Sequence, residues 1–131
     1  MAWHVTFGRT QLRSPIVLHR IFNNQEALSQ NRGRQFYHFV QSFAEGDRLT
    51  PQLANAIGVE LAEKEFPDFE VLVATHIDTG HLHNHLIVNS VSYVDGRKLH
   101  QNTADLQHHR DVNGPDLHEV PPECSPEIEK A

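Results

Sequence analysis

One cysteine, Cys124, is all the thiol chemistry the chain carries. That excludes a disulfide framework and any cysteine-based zinc finger, both of which need several cysteines at set spacings. Alone in a stretch rich in proline and glutamate, it reads as incidental. Tyrosine is scarce as well: there are two, Tyr37 and Tyr93, and neither lies in residues 1–31. No apolar run approaches the roughly 18 residues that a bilayer span requires. The opening Met-Ala-Trp-His-Val-Thr-Phe lacks the basic start and long apolar run of a secretory signal. A reducing cytoplasm, with no membrane partner, is the expected setting. Cations are outnumbered, 11 Lys and Arg against 17 Asp and Glu for a net charge of −6, which argues against a wholly basic nucleic-acid wrapper. No internal repeat is present. With 131 residues, 38 % hydrophobic and 21 % charged, the composition is that of one globular domain.

The charge is unevenly placed. Residues 116–131 hold Asp116, Glu119, Glu123, Glu127 and Glu129 against Lys130 alone. Residues 1–34 hold Arg9, Arg13, Arg20, Arg32 and Arg34 against Glu26 alone. Histidine is the residue in excess, at 11, and His76, His81, His83 and His85 fall within ten positions.

Trp3, Val5 and Phe7 alternate as a short strand would. Ser14-Pro15 has the form of a helix start, with a Ser cap and Pro at the first helical position. Gln35 to Phe43 alternates and is rich in aromatics, the pattern of a strand. Thr50-Pro51 opens a second helix whose Leu53, Ile57, Leu61 and Ala62 recur at helical spacing to about Phe66. Phe69 to Ile77 and Leu82 to Tyr93 read as strands. Asp95-Gly96 is a hairpin turn signal, with a return strand from Lys98 to His100. Thr103 is expected to cap a short helix to about Val112, with His108 and His109 at its surface. The expected organisation is one domain over 1–113 and an acidic, proline-rich, disordered tail over 114–131. Short turns between strands favour an α+β fold, an antiparallel sheet with helices packed mainly on one face.

On a strand, alternate side chains share a face. His81, His83 and His85 therefore point one way, with Asn89 further along, while Leu86 and Val88 point into the core. If Thr79-Gly80 turns the chain tightly, His76 at the end of the preceding strand comes within reach of His83 and His85. Three neutral imidazoles converging from two strands make a three-ligand metal site with positions left open for water and substrate. Asp78 is placed to orient a ligating histidine. The plainer alternative is a solvated histidine-rich face. Four histidines at this spacing, which would repel one another if protonated, favour metal or phosphate chemistry.

This stretch resembles the relaxase/mobilisation nuclease family of plasmid and conjugative-element transfer proteins, endonucleases of the histidine–hydrophobe–histidine type. Their pattern His-x-Asp-x-x-His-x-His-x-His-x-x-x-Asn is met at His76, Asp78, His81, His83, His85 and Asn89. Gln35-Phe36-Tyr37-His38-Phe39-Val40-Gln41-Ser42-Phe43 is similar to the family's second motif. Leu49-Thr50-Pro51, Glu60-Leu61-Ala62 and Phe66-Pro67 are similar to the helix after it, and the likeness runs over about residues 32 to 113. The resemblance implies a relaxase-like fold and a DNA nickase acting in plasmid or transposon mobilisation. A divalent cation, Mg²⁺ or Mn²⁺, would sit on His76, His83 and His85, with Asp78, His81 and Asn89 around them. Zn²⁺ or Ni²⁺ would bind such an all-nitrogen set after purification. Partners would be single-stranded DNA at a transfer origin and other mobilisation proteins. Arg34, Gln41, Ser42, Arg97 and Lys98 are the candidate DNA contacts, and Phe36 and Phe39 are candidates to stack on bases.

Family members attack the scissile phosphate with a tyrosine that precedes the second motif, forming a 5′-phosphotyrosine link and freeing a 3′-hydroxyl. No tyrosine stands there in this sequence, so Tyr37 and Tyr93 are the remaining candidates. The expectation is a relaxase lacking its N-terminal element, inactive as it stands, or a non-catalytic DNA-binding fragment. Asn84 occupies a position that is usually hydrophobic, and is expected to face away from the metal. His81 to Ile87 is also similar to the histidine-triad nucleotide hydrolase signature except at Asn84, although that motif normally lies close to the C-terminus.

Overall fold

The computed structural model describes residues 2–3, 34–44, 49–78, 81–114, 117, 120–121 and 124–131. The helix expected from Ser14 lies outside them. Five antiparallel strands form one sheet: β1 (Ala2–Trp3), β2 (Phe36–Ser42), β3 (Val71–Asp78), β4 (His81–Asn89) and β5 (Glu127–Lys130). Their spatial order is β1-β3-β4-β2-β5, so β4 is the central strand, with β3 on one side and β2 on the other. Two helices, α1 (Pro51–Glu65) and α2 (Thr103–Val112), complete the described α+β fold.

Thr50 caps α1 as its sequence predicts: the hydroxyl accepts from Leu53 N at 3.1 Å, with Pro51 at the first position. The cap of α2 is Asn102 rather than Thr103. Asn102 Oδ1 accepts from Asp105 N at 3.0 Å, and the Asp105 carboxylate accepts from Asn102 N at 2.9 Å. This reciprocal pair satisfies two donors that the first turn cannot satisfy internally. β4 ends at Asn89, earlier than its apolar run suggests, and the return strand reduces to a single bridge between Val91 and Lys98. Asp95-Gly96 forms the turn, with Gly96 at a φ of 77° that favours glycine.

Strand alternation sorts the sheet into two faces. Tyr37, Phe39, Val71, Val73, Leu86, Val88 and Ile128 are buried on the helix side with Ile57 and Leu61 of α1. His109 belongs to this core and not to the surface: it is 4 % exposed, its ring lies 5.4 Å from Phe39 and 4.9 Å from Phe66, and its nitrogens meet Glu65 and Gln101. His108 beside it is exposed, 3.3 Å from Glu65.

The tail expected to be disordered is not so at its end. Glu127–Lys130 pair with β2 over Phe39 to Ser42, and Ile128 is buried at 2 % exposure. One apolar side chain per short edge strand is a weak sequence signal, and the surrounding proline and acid count masked it.

A polar chain runs through the core between sheet and helices. Asn55 donates to Thr75 Oγ1 (3.0 Å), and Thr75 donates to Asn84 Oδ1 (2.7 Å). Asn84 Nδ2 donates to Gln41 Oε1 (2.9 Å) and to Ala54 O (2.6 Å). Gln41 donates to Asn113 (2.6 Å), and Asn113 donates to Pro126 O (2.9 Å). Partnering of this kind is what makes burial of amides tolerable, since an unpaired one costs several kcal/mol. The close approach of α1 depends on Gly58. A Cβ there would stand 2.7 Å from Asn84 Nδ2 and 2.8 Å from Val73 Cγ1. At an exposed helix position glycine-to-alanine gains about 1 kcal/mol. At Gly58 overpacking outweighs that gain, and Gly58→Ala is expected to lower stability by about 1–3 kcal/mol in urea unfolding. A variant more stable than the parent would refute this account of the helix–sheet contact.

Candidate functional site

The face of the sheet opposite the core network carries the histidines. His83 and His85 sit on β4 on either side of Asn84, whose side chain is directed into the core. The cross-strand partner of His83 on β3 is His76, and that of Asp78 is His81. His76 is 9 % exposed, while His83 and His85 are half-buried and His81 is exposed. Ring centres lie 5.8 Å apart for His76–His83, 6.1 Å for His76–His85 and 6.2 Å for His81–His83. The structure therefore brings together His76, His83 and His85 as the spacing predicts, with His81 alongside.

A residue that sequence reasoning missed completes the row. His38 of β2 places Nε2 2.9 Å from His85 Nδ1, with ring centres 5.1 Å apart. Period-two alternation in β2 does put His38 opposite in sense to Tyr37 and Phe39. The missing information was the strand order, which sets β2 beside β4.

Burial first, then the neighbouring rings of His38, His76 and His83, hold the His85 pKa below its ordinary 6.5. His85 is therefore neutral at neutral pH, the state in which an imidazole binds a metal ion. A shared ion with nitrogens near 2.1 Å would set ring centres about 5 Å apart. Among the described residues no three His, Cys, Asp or Glu side chains stand close enough to hold an ion as they are. The donor chemistry and the shared face suit a divalent cation; the rings stand wider than a bound trio.

Other candidates are placed apart. Tyr37 is buried on the helix side, its hydroxyl donating to Leu99 O at 3.0 Å. Alternation carries it to the face opposite the histidines. The Tyr93 hydroxyl donates to Pro67 O at 3.0 Å, beyond the far end of β4. Gln41 is fully buried in the polar chain, which corrects its reading as a DNA contact. Ser42 pairs with His83 across the strands and shares the histidine face. Asn89 lies four residues beyond His85, about 13 Å along the strand, and its Oδ1 accepts from Val91 N. Arg97 is bound to Asp68 (2.8 Å) and Asp95 (2.9 Å) near the start of β3. Arg34 is exposed and lies over the Tyr37 ring at 5.0 Å, and Lys98 sits at the hairpin bridge. Phe39 is fully buried, whereas Phe36 is 52 % exposed.

A family model described as "Relaxase: MobA/VirD2-like, nuclease domain" matches residues 4–114. The chain belongs to this relaxase family. Among named relatives, a Protein rlx of Staphylococcus aureus is 37 % identical over 89 residues, 68 % of this chain and 27 % of the relative. A second Protein rlx of that organism is 44 % identical over 70 residues, 53 % of this chain and 22 % of the relative. The group II intron-interrupted relaxase LtrB of Lactococcus lactis subsp. cremoris is 37 % identical over 77 residues, 58 % of this chain and 14 % of the relative. This relaxase chain thus spans roughly a quarter or less of the length of these relatives. No solved structure gives a significant match. Among the described residues no helix is long and apolar enough to cross a membrane.

The depressed His85 pKa has a consequence for stability. An unfolded chain protonates this residue near 6.5, before the native state does. Its contribution is therefore complete above that value and is lost as pH falls through the lower native pKa. Urea midpoints measured on both sides of pH 6.5 should drop on the acid side, and drop less in His85→Gln. Equal drops in the two proteins would mean that other groups carry the effect.

Proposed function

We propose that this chain is the metal-binding core of a relaxase-type DNA nickase, acting on single-stranded DNA at a transfer origin in plasmid or transposon mobilisation. The observation that carries the reading is the convergence of His76, His83 and His85 on one face of a relaxase-family sheet. Those three would hold one divalent cation, Mn²⁺ or Mg²⁺, with rings closing by about 1 Å from their present spacing. A cation held there supplies Lewis-acid polarisation of a scissile phosphate. Mg²⁺ prefers oxygen ligands, so the all-imidazole set favours Mn²⁺, and Zn²⁺ or Ni²⁺ would compete for it. His81 and Ser42 lie beside the ligands on the same face, where a phosphate backbone would run. Arg34 and Lys98 remain available as more distant phosphate contacts.

One specific observation favours a second reading. Both tyrosines of the chain donate their hydroxyls to backbone carbonyls, and Tyr37 lies on the other side of the sheet. A covalent step would then need a tyrosine from outside these 131 residues, and alone the chain would hold single-stranded DNA without joining to it.

Two measurements decide between these. Calorimetric titration of metal-stripped protein with Mn²⁺ should give one-to-one binding that His83→Ala abolishes and His81→Ala retains. Absence of binding by the parent protein, or binding indifferent to His83→Ala, would overturn the three-histidine assignment. With single-stranded oligonucleotide and Mn²⁺, no denaturant-resistant adduct should form. An adduct would return Tyr37 or Tyr93 to the role of nucleophile.

A further inference from the structure

The geometry points to His38 as the positioning residue of the site: it accepts a hydrogen bond from His85 Nδ1 and so fixes the lone pair of His85 on Nε2. This rests on the proposed ligand role of His85.

Three observations lead to it. First, the two rings are in hydrogen-bonding contact at 2.9 Å through one defined nitrogen of each, His38 Nε2 and His85 Nδ1. Second, the backbone makes that contact possible. His38 pairs with Ile87 and Val40 pairs with His85, so His38 is diagonal to His85 across β2 and β4. Diagonal strand neighbours stand about 7–8 Å apart, within reach of ring side chains. The two rings meet across that diagonal, tilted at 38°. Third, the far side of β2 is secured. Ala131 N donates to His38 O at 2.8 Å and β5 runs along Phe39 to Ser42, so the strand that carries His38 is held from both sides.

A neutral imidazole carries one proton on two nitrogens, and the partner of one nitrogen decides which holds it. Two arrangements satisfy the His38–His85 contact. Either His85 donates from Nδ1, or His38 donates from Nε2 and the His85 proton sits on Nε2. Only the first leaves His85 Nε2 able to donate its lone pair to a cation. Histidine ligands in metal sites characteristically give their other N–H to an acceptor that fixes ring and tautomer, usually a carboxylate or carbonyl. Here a second imidazole takes that place. It fixes orientation without adding negative charge beside a phosphate.

The test uses the full chain and two readouts. Nitrogen-15 spectra of the metal-free protein report the tautomer of each histidine. His85 should be in the Nδ1–H form, and should lose that preference in His38→Ala. In Mn²⁺ titration His38→Ala should bind about 10–100-fold more weakly than the parent. His38→Gln, whose side-chain oxygen can accept at a similar reach, should recover most of the affinity and of the Nδ1–H signature. His38→Gln also guards against a truncated variant that simply unfolds. An Nε2–H form of His85 in the parent protein would overturn the inference. So would a His38→Ala protein unchanged in both readouts, or one whose Mn²⁺ binding is abolished as completely as in His83→Ala, since His38 would then itself be a ligand. If the parent binds no Mn²⁺ at all, the metal reading fails, and the His85 tautomer still decides what His38 does.

Discussion

Asn84 donates to Ala54 O and Gln41 and accepts from Thr75, and these bonds hold the pleat of the central strand in one phase. Neighbouring residues of a strand point to opposite faces, so a slip of one residue would exchange every side chain of β4. His83 and His85 would then enter the core, and Leu86 and Val88 would leave it. Apolar burial of Leu86 and Val88 opposes that slip through area alone. The amide of Asn84 opposes it through direction, because its three partners come from α1, β2 and β3 and only one register meets them all. The histidine face is thus defined from the other side of the sheet.

The same network explains features that look unrelated in the sequence. Gly58 interrupts the apolar stripe of α1 because Asn84 needs the carbonyl of Ala54 within reach, and a Cβ would hold the helix off. Gln41 lies in a strand otherwise aromatic on that side because it relays the chain to Asn113, which in turn meets Pro126 O just before β5. A fully satisfied buried network strengthens its own bonds in a poorly polarisable interior, and a broken one exposes every member to the cost of an unpaired dipole. Substituting Asn84 therefore acts on one helix and three strands at once.

The sequence pattern is most legible where one strand or helix carries its whole signal. Alternation placed His81, His83 and His85 on one side and Leu86 and Val88 on the other, and Thr50-Pro51 marked the start of α1 to the residue. It is least legible where the decisive partner is remote in sequence. His38 joins His85 only because β2 lies beside β4, a fact of strand order that no local period contains. Gln41 reads as a polar strand residue open to DNA until Asn84 and Asn113 are seen to enclose it. His109 looks like the solvated face of a short helix, but Glu65 and Gln101 satisfy both its nitrogens and let its ring pack on Phe39 and Phe66. β5 was hidden by composition, since three of its four residues are charged and only Ile128 enters the core.

The charge around the site also differs from what a sum over the tail suggests. Five acids in residues 116–131 would repel a phosphate backbone if they stood free beside the histidines. Glu129 does lie at the sheet edge, opposite Val40 of β2. Arg110 of α2, however, reaches it with one guanidinium nitrogen at 2.9 and 3.1 Å from the two carboxylate oxygens, and a second nitrogen meets Ile128 O at 3.4 Å. An exposed ion pair of this kind adds little stability. Its effect here is on the field: it sets a cation against one of the two acids of β5, and it ties β5 to α2. Along the row from His38 through His85 and His76 to His83, burial and the neighbouring rings hold His85 below its ordinary pKa. The lone pair of His85 that resists protonation is one that the proposed cation would share.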